Sequence, residues 1–226
     1  MQMDIKTFCS TYLLPKKINK VRIGANHDGG YVLPEQSLDE CDCCLSYGLA
    51  RETSFESNYC AITKKALFGF DASVHYPSPN FFPEYLKSYD QFKNHCELIS
   101  NRIKNPNPKI LVKMDIEGDE WGILDQMNVD HFKSVVHTFA IEIHLKEDTN
   151  INTLFKLFED FNLVHIHLNN CSKVPLSCGT PKVLELTFIN KKYSGGLLLD
   201  KQTYPINLID YKNCPENVDQ KIPWII

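Results

Sequence analysis

Short apolar runs alternate with amphipathic stretches along most of this chain. CCLSYGL (43–49), ALFGFDAS (66–73), KILVKMDI (109–116), SVVHTFAIEIHL (134–145), FNLVHIHL (161–168) and PKVLELTFIN (181–190) each read as a strand. In FNLVHIHL the period is two, with Val164, Ile166 and Leu168 set against His165 and His167. Between the runs, ETSFESNYCAITKK (52–65) and FPEYLKSYDQFKNHC (82–96) read as helices, and another short one starts near Asp119. NINTLFKLFEDF (150–161) gives the cleanest helical pattern, because Leu154, Leu157, Phe158 and Phe161 fall at i, i+3, i+4 and i+7. CELIS (96–100) reads as a short strand, and a short helix in residues 1–20 stops near Pro15. RIGANHDGGYVLP (22–34) reads as a glycine-rich loop with an extended exit. SVHYPSPNFFPEY holds three prolines and reads as irregular, as does the Pro- and Asn-rich tail over 200–226.

Strands that alternate with helices predict a mostly parallel sheet covered by helices on both faces. In such sheets ligands bind at the carboxyl ends of the strands, near the switch in strand order. At 226 residues the expectation is a single domain, in which 1–34 form an N-terminal helix and the DGGY loop and 200–226 form a tail laid over the body.

Composition narrows the function classes. With 43% hydrophobic and 23% charged residues the chain reads as ordinary globular protein. A net charge of −4 and a pI near 6.1 give no general attraction for nucleic acid. Lys16, Lys17, Lys20 and Arg22 read as a solvated basic face. No apolar run approaches the ~20 residues of a membrane span. Nine cysteines, an odd number, in a chain opening with the polar MQMDIKTFCS read as free thiols in a reducing cytoplasm. CDCC (41–44) lacks the paired spacings of a zinc site, so Cys43 and Cys44 are expected to pack as small hydrophobes.

The candidate chemistry gathers at strand ends. Gly48 ends the first main strand and Asp71 the second, 23 residues later. A glycine there permits close backbone approach, and an acid in that place can bond ribose hydroxyls. One glycine in SYGLARE, where a dinucleotide site has three, leaves no cradle for a pyrophosphate. The spacing therefore favours a phosphate-free nucleoside cofactor, of which S-adenosyl-L-methionine is the commonest. KILVKMDIEGDEWGIL (109–124) places four carboxylates within six residues. Asp115 and Glu117 lie two apart, as do Glu142 and His144 on the next strand. If those strands are neighbours, three carboxylates and an imidazole converge, a donor set suited to Mg or Mn or to general-base work. The alternative is structural: Glu117 caps a helix and His144 sits at the surface. Asp119 and Glu120 are expected at the positive end of the next helix. Asp28, Gly29, Gly30 and Tyr31 form a further glycine turn, either a ligand loop or an ordinary one.

The order of RIGANHDGGYVL, LSYGLARETSFE, FGFDAS, LVKMDIEGDEWGIL, AIEIHL, HLNN and VLELTFINK resembles the FkbM-type family of S-adenosylmethionine-dependent methyltransferases over roughly residues 20–192. The resemblance implies a Rossmann-like class I methyltransferase fold, with a seven-stranded, mostly parallel sheet whose last strand is antiparallel. It implies cofactor over the first two strand ends, with Gly48 and the residues after it along the methionine part and Asp71 and Ala72 at the ribose. Asp115 would sit beside the methyl group, with Glu142 and His144 completing the catalytic set. Arg51, Ser54 or backbone amides would hold the cofactor's carboxylate, since the usual glycine-rich run is reduced here to Gly48. The implied reaction is O-methylation of a hydroxyl on a sugar, glycan or other small acceptor, with Mg or Mn as a further cofactor if Asp115, Glu117, Glu142 and His144 hold a metal. Two readings compete. Asp115-Ile116-Glu117 imitates the metal-holding acid pair of a glycosyltransferase, and the fold can serve as a non-catalytic binding module.

Overall fold

A computed structural model describes residues 3–172, 174–219 and 221–225. The elements in chain order are α1 (Ile5–Tyr12), β1 (Lys20–Ile23), β2 (Tyr31–Pro34), α2 (Gln36–Glu40), β3 (Cys43–Tyr47), α3 (Ser54–Thr63), β4 (Ala66–Phe70), β5 (Phe81–Phe82), α4 (Tyr89–Ile103), β6 (Ile110–Met114), α5 (Glu120–Gln126), α6 (Val129–Val135), β7 (Val136–His144), a 3-10 turn (Ile151–Leu154) running into α7 (Phe155–Phe158), β8 (Phe161–Leu168), β9 (Val183–Asn190) and α8 (Lys191–Ser194). Seven strands form one sheet in the order β5-β4-β3-β6-β7-β9-β8. The pairs from β5 to β7 are parallel, and β9 runs antiparallel to both its neighbours. The fold is Rossmann-like, as expected, and the chain's last sheet strand is the inverted one.

The apolar runs of β3, β6 and β7 are buried on both faces, which is what continuous Val/Ile/Leu patterns mean in a parallel sheet. On one face Ile110, Val112 and Met114 meet α1, α4 and α6 through Phe8, Phe92, Ile99 and Phe132. On the other, Cys44, Leu111 and Ala140 meet α3 and the hairpin β1–β2 through Phe55, Tyr59, Tyr31 and Leu33. Cys43 and Cys44 are fully buried, in line with their expected role as small hydrophobes.

Several expectations are corrected. CELIS is no strand: Cys96 and Ile99 continue the buried face that Phe92 and His95 begin on α4, at i, i+3, i+4 and i+7. NINTLFKLFEDF yields only the 3-10 turn and the single turn of α7, because Phe161 already pairs with Asn190 as the first residue of β8. RIGANHDGGYVLP is a hairpin, with Ile23 opposite Tyr31. β8 is buried along both faces, so its alternation separates two buried environments. The basic cluster is split: Lys20 Nζ lies 2.8 Å from Asp200 Oδ2, both side chains nearly inaccessible, and Arg22 donates to the carbonyls of Ala25 and His27. The nine cysteines are not all free. Cys171 and Cys214 form a disulfide and the other seven are unpaired, which counts against the all-thiol argument for a reducing compartment. No helix among the described residues is long and apolar enough to cross a membrane.

Candidate active site

The carboxyl ends of β3, β4 and β6 open into a cleft of about 380 Å³, lined by Gly48, Ala50, Phe70, Asp71, Ser73, Glu84, Tyr85, Leu86, Lys87, Asp115, Ile116, Glu117 and Asp119. Gly48 is required for a reason internal to the fold. Its φ is +72°, and a Cβ there would stand 1.6 Å from the Asp115 carbonyl oxygen. The glycine lets two adjacent strands leave the sheet together, and this close approach is between strands. Asp71 caps the turn after β4. Its Oδ2 accepts the Ala50 amide at 2.8 Å, and its Oδ1 accepts the Ser73 amide and hydroxyl, each at 2.6 Å. Burial works to raise its pKa, but the bonds from Ser73 and Ala50 outweigh it, so the group is held below the usual carboxylate range.

The row of polar groups does not stop at the cleft. Asp115 follows Met114, which pairs with Ile141, so Asp115 stands level with Glu142; Glu142 pairs with Glu185, and Glu185 with His167. Four adjacent strands thus carry titratable side chains at one level. Tyr31 donates to Asp115 Oδ2 at 3.0 Å, and burial, reinforced by the Asp115 charge, pushes the phenol far up, so it stays a donor. Lys113 Nζ donates to the Gly48 carbonyl at 2.6 Å and lies 3.8 Å from Asp115 Oδ2. Asp115 Oδ1 is shielded from solvent and has no partner.

His144 closes the group. Its Nε2 lies 3.2 Å from Glu142 Oε1 and 3.4 Å from Glu117 Oε2, and its Nδ1 lies 3.3 Å from Glu120 Oε1. Burial alone would lower the imidazole pKa; Glu120 and Glu142 outweigh it and raise it to about 10, so the ring is an imidazolium at neutral pH. Glu142 is pushed up to about 7, first by burial and then by the charge of Asp115. Its other oxygen accepts from Asn169 at 2.9 Å.

Of the residues expected at the site, Gly48, Asp71, Asp115 and Glu117 line the cleft, and His144 and Glu142 stand behind it. Ligand atoms of Asp115, Glu117 and His144 lie within 4.8 Å of one another, whereas Glu142 groups in the same way with Asp28 and Glu185. The four-residue metal set therefore divides. Ser54 is engaged with Glu52 and the Ala25 amide, and Arg51 and Ala72 are exposed outside the cleft lining. Gly29 and Gly30 pack against Glu52 and against Ala25 and Arg22; of DGGY, Tyr31 bonds Asp115, and Asp28 accepts from Asn213 at 3.2 Å on the Glu142 and Glu185 side of the row.

Glu120 opens α5 as expected, but its burial and its hold on His144 were not foreseen. It is fully buried, with Oε1 on the His144 amide at 2.7 Å and Oε2 on the Gly118 amide at 2.7 Å. Trp121 Nε1 donates to the His144 carbonyl at 2.7 Å, so consecutive residues hold the amide and the carbonyl of one residue, His144. The adjacency of an acid and an indole, both able to bond backbone, was the available signal. Neither the family models nor the curated proteins with which the sequence was compared give a match.

Proposed function

We propose that this chain is an S-adenosylmethionine-dependent O-methyltransferase acting on a hydroxyl of a sugar, glycan or other small acceptor. The observation that carries this reading is the charge of the cleft. Its lining holds five carboxylates, Asp71, Glu84, Asp115, Glu117 and Asp119, against the single ammonium of Lys87. Such a cleft repels a pyrophosphate and attracts a sulfonium. Phe70 and Leu86 add apolar wall, and Asp71 Oδ2 retains one lone pair for a ribose hydroxyl beyond those used by Ala50 and Ser73.

The bound cofactor would supply an activated methyl group. The chain's own task is to orient the acceptor and accept the hydroxyl proton. We assign that proton to the carboxylates of Asp115 and Glu142. Asp115 lines the cleft with its side chain 25% exposed, and Glu142 titrates near neutrality. The His144 ring, already protonated, fixes Glu117 and Glu142 and is a poor base. One observation favours a second version, in which Asp115, Glu117 and His144 hold Mg or Mn: their ligand atoms lie within 4.8 Å of one another. The glycosyltransferase alternative would place its metal on the same acids, yet it has to bring a diphosphate into a cleft with one lysine.

Titration calorimetry tests the reading. S-adenosylmethionine or its demethylated product should bind, and Asp71→Ala should weaken binding by about 1–3 kcal/mol. Tight binding of NAD or a nucleotide sugar, with none of S-adenosylmethionine, overturns it. Turnover that survives a chelator and rises with pH near 7 fits the carboxylate base. Turnover lost on chelation and restored by Mg or Mn assigns the acids to a metal.

A further inference from the structure

The outer edge of the sheet, beside β8, carries an apolar surface that the catalytic reading leaves unused. After α8 the chain passes Gly195 and Gly196 into three consecutive leucines, of which Leu198 is 81% exposed and Leu199 49%. They form a groove of about 750 Å³ with Lys16, Lys17 and Lys201. This is a built surface. The Lys17 amide donates to the Leu198 carbonyl at 2.9 Å, Lys16 bridges to Leu199, and the Asp200 amide donates to the Pro15 carbonyl at 2.8 Å.

The charge around the leucines has one sign. Asp200, the acid of the groove, is buried and spent on Lys20, whereas Lys16, Lys17 and Lys201 have no ion pair among the described residues. Leucines ringed by uncompensated lysines match a surface that is apolar within and negative at its face. We infer that this groove docks on an anionic lipid surface, the leucines entering the acyl boundary and the lysines meeting headgroup phosphates or carboxylates.

The placement suits an enzyme. The Lys16 amide donates to the Leu163 carbonyl of β8, the edge strand of the sheet, so the groove flanks that outer edge. The cleft lies over the carboxyl ends of β3, β4 and β6, on the other half of the sheet, and shares no lining residue with the groove.

Co-sedimentation with vesicles tests this on the full chain. Vesicles of phosphatidylcholine mixed with phosphatidylserine should bind the protein, pure phosphatidylcholine should bind it far less, and added salt should release it. Leu198→Asp, and separately Lys17→Glu with Lys201→Glu, should weaken binding on the order of tenfold while the thermal midpoint stays unchanged, since these side chains are exposed. Equal binding to both vesicle types, no binding to either, or binding indifferent to all three substitutions overturns the proposal. So does a dimer in sedimentation velocity that Leu198→Asp dissociates, which would give the groove to a second copy of the chain.

Discussion

Glu185 and Asp115 are carboxylates at the same level of one sheet, separated by a single strand, and their surroundings differ in kind. Glu185 is buried beside the hairpin and the C-terminal tail, and both its oxygens have partners that offset the neighbouring acids Asp28 and Glu142. His167 Nδ1 lies 3.2 Å away, Asn213 donates to its other oxygen, and the Arg22 charge adds to the field. Burial would raise its pKa; His167 and Asn213 more than reverse this and lower it. Asp115 lines the cleft with its side chain 25% exposed, Oδ2 on Tyr31 and Oδ1 unpaired and shielded from solvent. A charge removed from water must be fully compensated or the fold pays for it. A charge at a cleft wall can exchange one partner for a ligand. The buried half of the row therefore reads as structure and the open half as chemistry.

The strongest way to break this distinction is to remove an acid from each half. Glu185→Ala leaves the buried His167 cation with Asp219 but without its second carboxylate partner and should destabilise the protein by about 3–5 kcal/mol in urea denaturation. Asp115→Asn should cost about 1 kcal/mol or less of stability while abolishing most turnover. Equal losses of stability in the two variants would erase the contrast.

The tail that covers Glu185 offers the next test. Asn213 and Cys214 belong to it, and the Cys171–Cys214 disulfide spans 43 residues. The Asn170 side chain adds bonds to the Cys214 amide and carbonyl. Replacing both cysteines by serine should lower stability by about 2–4 kcal/mol and leave cofactor affinity near the wild-type value, because the cleft lies at the other end of the row. Alkylation of the denatured, unreduced chain should label seven thiols, and nine after reduction. Nine without reductant would remove the clasp from the account.

How much of this was legible beforehand follows from the range of each interaction. Gly48, Asp71 and Asp115 were legible because a strand's end and its side-chain period are local properties of the sequence. The buried half was not. His165 and His167 look like the solvent face of FNLVHIHL until β9 and the tail supply Glu185 and Asp210, 18 and 45 residues away in sequence. The disulfide was hidden for the same reason, since an odd count says nothing about which two thiols meet.

Proton linkage gives a smaller and graded test. His144 and His167 both rise from an ordinary 6.5 to about 10 in the folded protein, their carboxylate partners outweighing burial. A raised folded pKa contributes stability that is fully present below the unfolded value and is lost as pH climbs through the folded one. Stability should therefore fall as pH rises between about pH 7 and pH 10. His167→Gln should flatten that slope. An unfolding midpoint that rises across the window would contradict the imidazolium assignments on both halves of the row.

The smallest effect is expected at Asp119, and it is the sharpest check on reading an acidic run as one feature. Asp119 and Glu120 are consecutive letters at the start of α5. Asp119 has no capping bond, its side chain is 63% exposed, and Lys87 stands 3.8 Å away with an equally open side chain. An exposed helix-dipole contact with a screened ion pair is worth a few tenths of a kcal/mol. Asp119→Asn should therefore shift the urea midpoint almost imperceptibly and leave turnover intact, although the residue sits on the cleft wall. Glu120 turns inward from the next position and holds both the amide and the ring of His144, so it belongs with the answered charges. A loss of turnover in Asp119→Asn as large as in Asp115→Asn would show that the whole run acts as one site. A silent Asp119→Asn confines the chemistry to the level of the row that Asp115 shares with Glu142.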